Sequence, residues 1–266
     1  MRSYSLYLLD LDGTVYRGHE ATPHAPEVLA QLRSAGAAVR FLTNNSAATP
    51  ESVCSRLQRL GIDCRQNEVV TSGQVAAAYC KEANLQRLYV VGEPGLLKVL
   101  KAEGLEALNA WSGPEGDRLV EDSDGEPEAV IVGICRSFTY SWLNQAMQKI
   151  LAGARFLATN RDAAYPVELG RLEPGSGAIV AALETCSGTI PIVLGKPHPY
   201  MAELAMRAVG VGPQDTLVVG DRMDTDIACG RAAGCAAHLV LCGVTPKSPE
   251  SEDLLSCSQD LRGLLA

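Results

Sequence analysis

LYLLDLDGTVY, residues 6 to 16, is the stretch around which the chain is organised. Its four leading apolar residues suit a buried strand, and two carboxylates, Asp10 and Asp12, follow just before a Gly-Thr turn. Because ligands bind at the carboxyl ends of strands in open α/β sheets, we expect both acids to face a crevice. The alternation of side chains would place them on one side, where they could hold a hard cation. Asp, Gly and Thr are also typical of an ordinary turn.

Composition narrows the classes of partner. The chain has 266 residues with a formal net charge of −8, and no run of Lys and Arg forms a basic stripe, so we expect no nucleic-acid partner. No apolar run approaches the roughly 18 residues that a membrane span needs, so we expect no membrane partner either. The nine cysteines are scattered, without a CxxC pair, which favours thiols in a reducing compartment. We therefore expect a cytoplasmic protein.

Strand-like and helical patterns alternate along the chain. Residues 25–35 carry apolar side chains at helical spacing, residues 39–42 read as a strand, and Pro50 marks the start of the next helix. This alternation predicts an α/β fold with a doubly wound parallel sheet. Residues 191–194 are predicted to be a strand of the same sheet, ending just before Lys196.

Polar side chains follow four of the predicted strands. In a doubly wound sheet all four strand ends lie on one edge, so distant residues converge. Carboxylates and backbone oxygen suit Mg²⁺, whereas hydroxyl, amide and ammonium groups suit phosphate oxygens. The four sets are Asp10 with Asp12, Thr43 with Asn44 and Asn45, Lys196, and Asp221 with Asp226.

This set resembles the haloacid dehalogenase (HAD) superfamily of phosphohydrolases. The four motifs of that superfamily match DLDGT, the Thr of FLTNNS, the Lys of GKPHP and the acids of GDRMDTDI, in order along the whole chain. The residues of these motifs are most similar to those of the NagD-like branch, which contains p-nitrophenyl, phosphoglycolate and pyridoxal phosphatases. The acid at position 12 separates the chain from dehalogenases, which lack it, and from P-type ATPases, which have Thr there.

The resemblance implies a role for each matching residue. Asp10 would attack phosphorus to form an aspartyl-phosphate, and Asp12 would serve as general acid and base. The Asp10 carboxylate, the Asp12 carbonyl oxygen and Asp221 would hold the cofactor Mg²⁺. Thr43, Asn44, Asn45 and Lys196 would bind the phosphoryl group, and Asp226 would orient Lys196 or a metal-bound water.

The segment between Thr43 and Lys196 is far longer than one or two crossovers need. We therefore expect a core formed by residues 1–80 and 185–266, with a separate α/β unit at residues 81–184. Its position resembles the type II cap of the NagD-like branch, which supplies specificity and can mediate homodimers. The candidate substrate loop is 159–162 with Tyr165 and residues 168–173 behind it. Arg161 could meet a substrate carboxylate or second phosphate, although an ordinary polar loop fits equally well.

The sequence thus predicts a Mg²⁺-dependent phosphomonoesterase that hydrolyses a small phosphorylated metabolite. A metabolite-binding regulatory protein and a phosphotransferase on the same fold are the alternatives. Phosphoglycolate, pyridoxal phosphate, nucleoside monophosphates and sugar phosphates stay open as substrates.

Overall fold

The chain forms two compact units. The structure is a computed structural model that describes residues 3–112, 118–121, 125–166, 171–245 and 256–265. The first unit comprises Met1–Thr43, Pro50–Val70 and Lys196–Ala266, and the second unit comprises Asn44–Thr49 and Thr71–Gly195.

Short strands and helices alternate through both units. In chain order the strands are β1 (Leu6–Asp10), β2 (Tyr16–Arg17), β3 (Glu20–Ala21), β4 (Ala38–Thr43), β5 (Val69–Thr71), β6 (Arg87–Val91), β7 (Glu106–Ala107), β8 (Asn109–Ser112), β9 (Arg118–Glu121), β10 (Ala129–Val132), β11 (Arg155–Ala158), β12 (Ala164–Pro166), β13 (Leu172–Pro174), β14 (Ile192–Val193), β15 (Thr216–Gly220), β16 (Ala236–Val240) and β17 (Ser256–Ser258). The α-helices are α1 (Ala25–Ser34), α2 (Pro50–Arg59), α3 (Ser72–Glu82), α4 (Pro94–Ala102), α5 (Tyr140–Leu151), α6 (Ser176–Ser187), α7 (Tyr200–Val209) and α8 (Ala228–Ala232).

The first unit is built on a six-stranded sheet with the order β17-β16-β15-β1-β4-β5. Strand β1 lies in its middle and pairs in parallel with β15 and β4. The apolar run Leu6–Leu9 is almost wholly buried, as expected for a strand covered on both faces of a parallel sheet. Asp10 lies opposite Leu42 of β4, and Leu9 lies opposite Val219 of β15. The carboxyl ends of these three strands therefore share one edge.

Helix α1 shows how the sequence pattern sets the packing of the first unit. Its buried residues are Ala25, Val28, Leu29 and Leu32, which lie three, four and seven positions after the first and form one helical face. The chain leaves this helix through Gly36, whose φ of 87° is in the left-handed region that favours glycine. The predicted helix over 25–35 is confirmed to within one residue.

The second unit contains a five-stranded sheet with the order β14-β11-β10-β6-β7. Strand β10 pairs in parallel with β6 and β11, and β11 pairs in parallel with β14. Two antiparallel hairpins, β8–β9 and β12–β13, belong to the same unit. Parallel sheets with intervening helices therefore occur in both units, and the predicted α/β fold class is confirmed.

The second unit is wider at both ends than the predicted insertion over residues 81–184. Its main segment begins at Thr71 and ends at Gly195, and the short segment Asn44–Thr49 also belongs to it. Helix α3 belongs to it because Gly73 lies against Leu96 and Val99 of α4. At the other end, β14 belongs to it because Ile192 and Val193 pair with β11. The prediction that residues 191–194 form a strand of the core sheet is therefore wrong.

No helix in the described part of the chain is both long and apolar enough to cross a membrane.

Candidate active site

Asp10 occupies the carboxyl end of the central strand of the first unit. The strand fixes its backbone between β15 and β4, while the side chain is 13% exposed at the sheet edge. Since the preceding Leu6–Leu9 are buried on both faces, the acid is the first residue of the run that can meet a ligand. This position agrees with the expected crevice at the carboxyl ends of the strands.

Lys196 reaches Asp10 by a route that differs from the prediction. The preceding strand, β14, belongs to the sheet of the second unit, so Lys196 does not end a strand of the core sheet. It lies in the turn before α7, with only 3% of its side chain exposed. Its Nζ donates hydrogen bonds to Asp10 Oδ1 at 2.5 Å and to Asp226 Oδ1 at 2.7 Å. The ammonium therefore joins the two carboxylates, as the predicted roles of Lys196 and Asp226 require.

Asp221 follows β15 and is fully buried. Its Oδ2 accepts a hydrogen bond from the Val244 N–H at 2.6 Å, which holds the carboxylate in one orientation. The backbone at Gly13 approaches the same carboxylate so closely that a Cβ there would overlap it, and Gly13 has a φ of 97°. A larger residue at position 13 would therefore displace Asp221 or strain the turn after β1.

The carboxylates of Asp10, Asp221 and Asp226 form a cluster that suits a cation. One oxygen of each lies within 4.8 Å of the others. Within the described residues, the ammonium of Lys196 pairs with Asp10 and Asp226, so the cluster holds excess negative charge when all three acids are ionised. Clustered carboxylate oxygens are the donors that Mg²⁺ and Ca²⁺ prefer. The residues present therefore fit a hard divalent cation, with Asp226 beside the predicted ligands Asp10 and Asp221.

Burial and charge perturb the ionisation of this cluster. Burial raises the pKa of Asp10 well above its ordinary value, whereas Lys196 opposes the shift and the other two acids add to it. Burial also raises the pKa of Asp221 to about 6, against the hydrogen bond from Val244. For Lys196 burial acts to lower the pKa, but Asp10 and Asp226 outweigh it, so the pKa is raised and the ammonium stays charged. A bound cation would favour the ionised form of the acids.

Two residues that the motif does not include influence Asp12, one through a hydrogen bond and one through its charge. Tyr16 donates a hydrogen bond from its hydroxyl to Asp12 Oδ2 at 3.2 Å. The guanidinium of Arg56, from α2, lies 4.0 Å from the centre of the Tyr16 ring. Desolvation raises the pKa of Asp12, and Arg56 and the Tyr16 hydrogen bond oppose this shift. A raised carboxyl pKa suits a group that must give up and take back a proton near neutrality.

Thr43 ends β4 and is 3% exposed, next to the strand that carries Asp10. The two asparagines after it belong to the second unit. There the Asn44 carbonyl accepts hydrogen bonds from Ser72 and Asn160, both at 2.8 Å. Asn45 Oδ1 accepts from the Ala47 N–H at 3.0 Å, which fixes a local turn. The segment after Thr43 is therefore held by specific contacts.

Comparisons with known proteins agree with this geometry. Residues 7–106 match the model of haloacid dehalogenase-like hydrolases, and residues 193–259 match a second model described as HAD-hydrolase-like. The chain is 35% identical over 255 residues to the 5′-nucleotidase YutF of Bacillus subtilis, covering 96% of this chain and 93% of YutF. The chain belongs to the haloacid dehalogenase superfamily.

Solved structures place it more narrowly within that superfamily. NagD from Escherichia coli superposes with a TM-score of 0.84 at 28% identity, covering 98% of both chains. A glycerol phosphate phosphatase from Mycobacterium tuberculosis, in complex with magnesium, superposes with a TM-score of 0.85 at 35% identity over 98% of this chain and 77% of that one. The protein is a HAD phosphatase of the NagD-like branch, and hence a phosphoric monoester hydrolase.

In this HAD phosphatase the predicted substrate loop lies entirely in the second unit. Arg161 forms an ion pair with Glu184 at 2.5 Å, on a surface where its side chain is 43% exposed. Tyr165 accepts a hydrogen bond from Arg136 at 2.9 Å and donates one to Glu173. Of the predicted segment 168–173, residues 168–170 lie outside the described residues.

Two further features bear on the motif residues of the HAD phosphatase. Asp224 is 70% exposed and pairs with Arg222 at 2.8 Å. Sequence reasoning missed Tyr16 and Arg56 as contacts around Asp12. The four-residue spacing from Asp12 to Tyr16 was visible, but nothing in the pattern of α2 indicates that Arg56 lies over the tyrosine ring.

Proposed function

We propose that this protein is a Mg²⁺-dependent phosphomonoesterase that hydrolyses a small phosphorylated metabolite through an aspartyl-phosphate on Asp10. The observation that supports it best is the buried ammonium of Lys196, bonded to both Asp10 and Asp226. A cation so placed would offset charge on the nucleophile and on an incoming phosphoryl group. The cluster with Asp221 supplies oxygen ligands for a divalent cation.

The proposed reaction proceeds in two displacements on phosphorus. In the first, an oxygen of Asp10 forms a bond to phosphorus while the bond to the leaving oxygen breaks, and Asp12 gives that oxygen its proton. In the second, Asp12 takes a proton from water as the water attacks phosphorus and releases Asp10. The Tyr16 hydroxyl would keep the Asp12 carboxyl aimed during both proton transfers.

Asp10, Asp221 and the carbonyl oxygen of Asp12 would hold Mg²⁺. When bound, the ion would draw charge from a non-bridging phosphate oxygen and help to position the phosphoryl group for attack by Asp10. The magnesium complex of the glycerol phosphate phosphatase supports a divalent cation, as does a calcium complex of the same protein. Asp226 would keep Lys196 in place through its 2.7 Å hydrogen bond.

We further propose a small, soluble phosphate ester as substrate. Relatives named as a 5′-nucleotidase, an acid sugar phosphatase and a glycerol-3-phosphate phosphatase support this class. We propose four further residues as phosphate or substrate contacts: Thr43, Asn44, Asn45 and Arg161. All nine cysteines are thiols and not disulfides, which supports a reducing compartment such as the cytoplasm.

The test is release of inorganic phosphate from a panel of small phosphate monoesters, with and without Mg²⁺. We expect Mg²⁺-dependent release that is lost in Asp10→Asn. Asp224→Asn is the matched control, because it makes the same change on an exposed acid of the helical turn Met223–Ile227 that follows β15. No release from any monoester would refute the hydrolase proposal and favour a regulatory protein. Phosphoryl transfer to an added alcohol in preference to water would favour a phosphotransferase.

A further inference from the structure

A basic groove lies in the first unit, away from the catalytic cluster. It has a volume of about 390 Å³ and includes Ala38 to Arg40, which begin β4, whereas Thr43 ends that strand at the catalytic edge. Its charged lining residues are Arg33, Arg40, Arg65, Asp63 and Glu68. Three arginines against two acids make the groove locally positive on a chain whose formal net charge is −8.

The buried acid of the groove is fully used by two of the arginines. Glu68 accepts from Arg33 through both carboxylate oxygens, at 2.6 and 3.0 Å. Glu68 Oε2 also accepts from the backbone N–H of Arg65 at 2.9 Å. The second nitrogen of the Arg33 fork donates to the Asp63 carbonyl as well, at 3.0 Å. Arg33 and Glu68 therefore form a closed, bidentate pair.

Arg40 is left with too few acceptors. Its Nη1 donates to the Val39 carbonyl at 2.9 Å. Its Nε is buried and has no hydrogen-bond partner among the described residues. A buried guanidinium N–H without an acceptor is unfavourable by about 1–3 kcal/mol or more, so the Arg40 guanidinium has donor capacity that the described residues leave unused. Burial lowers the pKa of Arg40 and Arg33 lowers it further, whereas Glu68 raises it, but a guanidinium remains charged at neutral pH.

We propose that this groove is a second anion site, which binds a phosphate group through Arg40 and Arg65. The planar fork of a guanidinium matches the oxygens of phosphate, and the lining offers two such forks with the Asn67 amide. Of the two acids in the lining, Glu68 is already bound by Arg33, and Asp63 contributes one further negative charge. The side chain of Arg65 is exposed and can close on a ligand from the solvent side. The volume admits a small phosphate ester as well as inorganic phosphate.

This inference is independent of the proposed catalytic mechanism. No catalytic residue lines the groove. Binding there would persist if the catalytic proposal failed, and loss of binding there would leave Asp10 and its neighbours in place. The two proposals therefore fail separately.

The experiment is arginine labelling of the full-length protein by phenylglyoxal, with Mg²⁺ present and each arginine read by peptide mass spectrometry. The probes are inorganic phosphate and phosphonoacetate, a non-hydrolysable organic phosphonate, with potassium chloride at equal ionic strength as the blank. The reporter is Arg65, and the internal control is Arg59, an exposed arginine of α2 that does not line the groove. At a probe concentration three times the dissociation constant, labelling of Arg65 should slow about fourfold.

Arg40→Gln should abolish the protection of Arg65 while leaving hydrolysis of p-nitrophenyl phosphate unchanged. Protection by phosphate alone would assign the site to inorganic phosphate, and protection by phosphonoacetate alone would assign it to organic phosphates. Equal protection of Arg65 and Arg59, or none by either probe, would overturn the proposal. The comparison of Arg65 with Arg59 is made in the native chain, so it does not depend on how well the Arg40→Gln variant folds. Protection that survives in a folded Arg40→Gln variant would also overturn it.

Discussion

Replacing Lys196 with Met would remove the ammonium that is bonded to both Asp10 and Asp226. Methionine keeps the length of the side chain and its apolar stem, so the change isolates the charge. The side chains of Lys196 and Asp226 are 3% and 2% exposed, so water cannot readily replace the lost contacts. Both carboxylates would then lie in a buried cluster without their counter-ion.

The distances set the expected magnitude. Two charge-assisted hydrogen bonds, at 2.5 and 2.7 Å, are lost, and each contributes about 1.5–3 kcal/mol. Removal of one partner from a buried ion pair costs about 3–5 kcal/mol, which agrees with that sum if the acids relax. We expect the free energy of unfolding at pH 8 to fall by about 3–5 kcal/mol. The loss of kcat/KM should be about 100-fold to 1000-fold, as for other groups that stabilise transition-state charge.

The effect should depend on pH in a definite direction. Without Lys196 the pKa of Asp10, already raised by burial, would rise further because its opposing charge is gone. A folded-state pKa above the unfolded value destabilises the fold at high pH, and this penalty falls as the acid is protonated. Urea unfolding of Lys196→Met should therefore show a larger deficit at pH 8 than at pH 5.

Lys98→Met is the matched control for this prediction. Lys98 is an exposed residue of α4, and its replacement should change stability by no more than about 0.5 kcal/mol. A Lys196→Met protein that stays within about 1 kcal/mol of the native chain, with kcat/KM reduced less than about threefold, would refute the reasoning. That result would mean that the buried pairs contribute little to the fold or to turnover.

Four other predictions follow from contacts and burial in the structure. Tyr16→Phe removes a hydrogen bond that lowers the pKa of Asp12. The basic limb of the plot of kcat against pH should therefore move to higher pH, while KM stays unchanged. A basic limb at the same pH as in the native chain would contradict the role of Asp12 in proton transfer. Asp221→Asn should raise the half-saturating Mg²⁺ concentration by more than about 10- to 100-fold, which is the loss of metal affinity typical when a residue that only orients a metal ligand is replaced. In the native enzyme Mg²⁺ affinity should weaken as pH falls below the pKa of about 6, and a flat titration would contradict the assignment. Burial lowers the pKa of His238 to about 4, so the folded protein binds a proton at this imidazole less readily than the unfolded chain, and the free energy of unfolding should fall from pH 7 to pH 5. In urea unfolding, His238→Gln should reduce this fall by about 2 kcal/mol. An equal fall in the variant and the native chain would contradict the prediction.

The sequence predicted the first strand and its acids because local pattern controls them. The continuous apolar run Leu6–Leu9 suits an inner strand of a parallel sheet, which is buried on both faces, and the acids after it then lie at the sheet edge. Helix α1 was predictable for the same reason, since its buried residues repeat at helical spacing. In both cases the information lies within a single element.

Membership of a sheet was not predictable in the same way. Ile192 and Val193 have the composition of a core strand, yet they pair with β11 of the second unit. The sheet that a short apolar strand joins depends on which other strands of the chain can pair with it. The alternation of side chains along the strand does not indicate this partner. For this reason the second unit extends beyond residue 184, to Gly195, and the contact between Tyr16 and Arg56 was missed because it joins separate elements.

The structure places Lys196 beside Asp10, as expected, but not at the end of a strand of the core sheet, and physical chemistry explains both findings. A lysine with a 3% exposed side chain must be paired, because an isolated buried ammonium is strongly unfavourable. The fold offers Asp10 and Asp226 as partners, and the turn before α7 is enough to deliver Nζ to both. Charge pairing therefore constrains the end of this side chain more tightly than the strand order constrains its backbone. Motif residues of this kind can be assigned from chemistry even where the topology that carries them is misread.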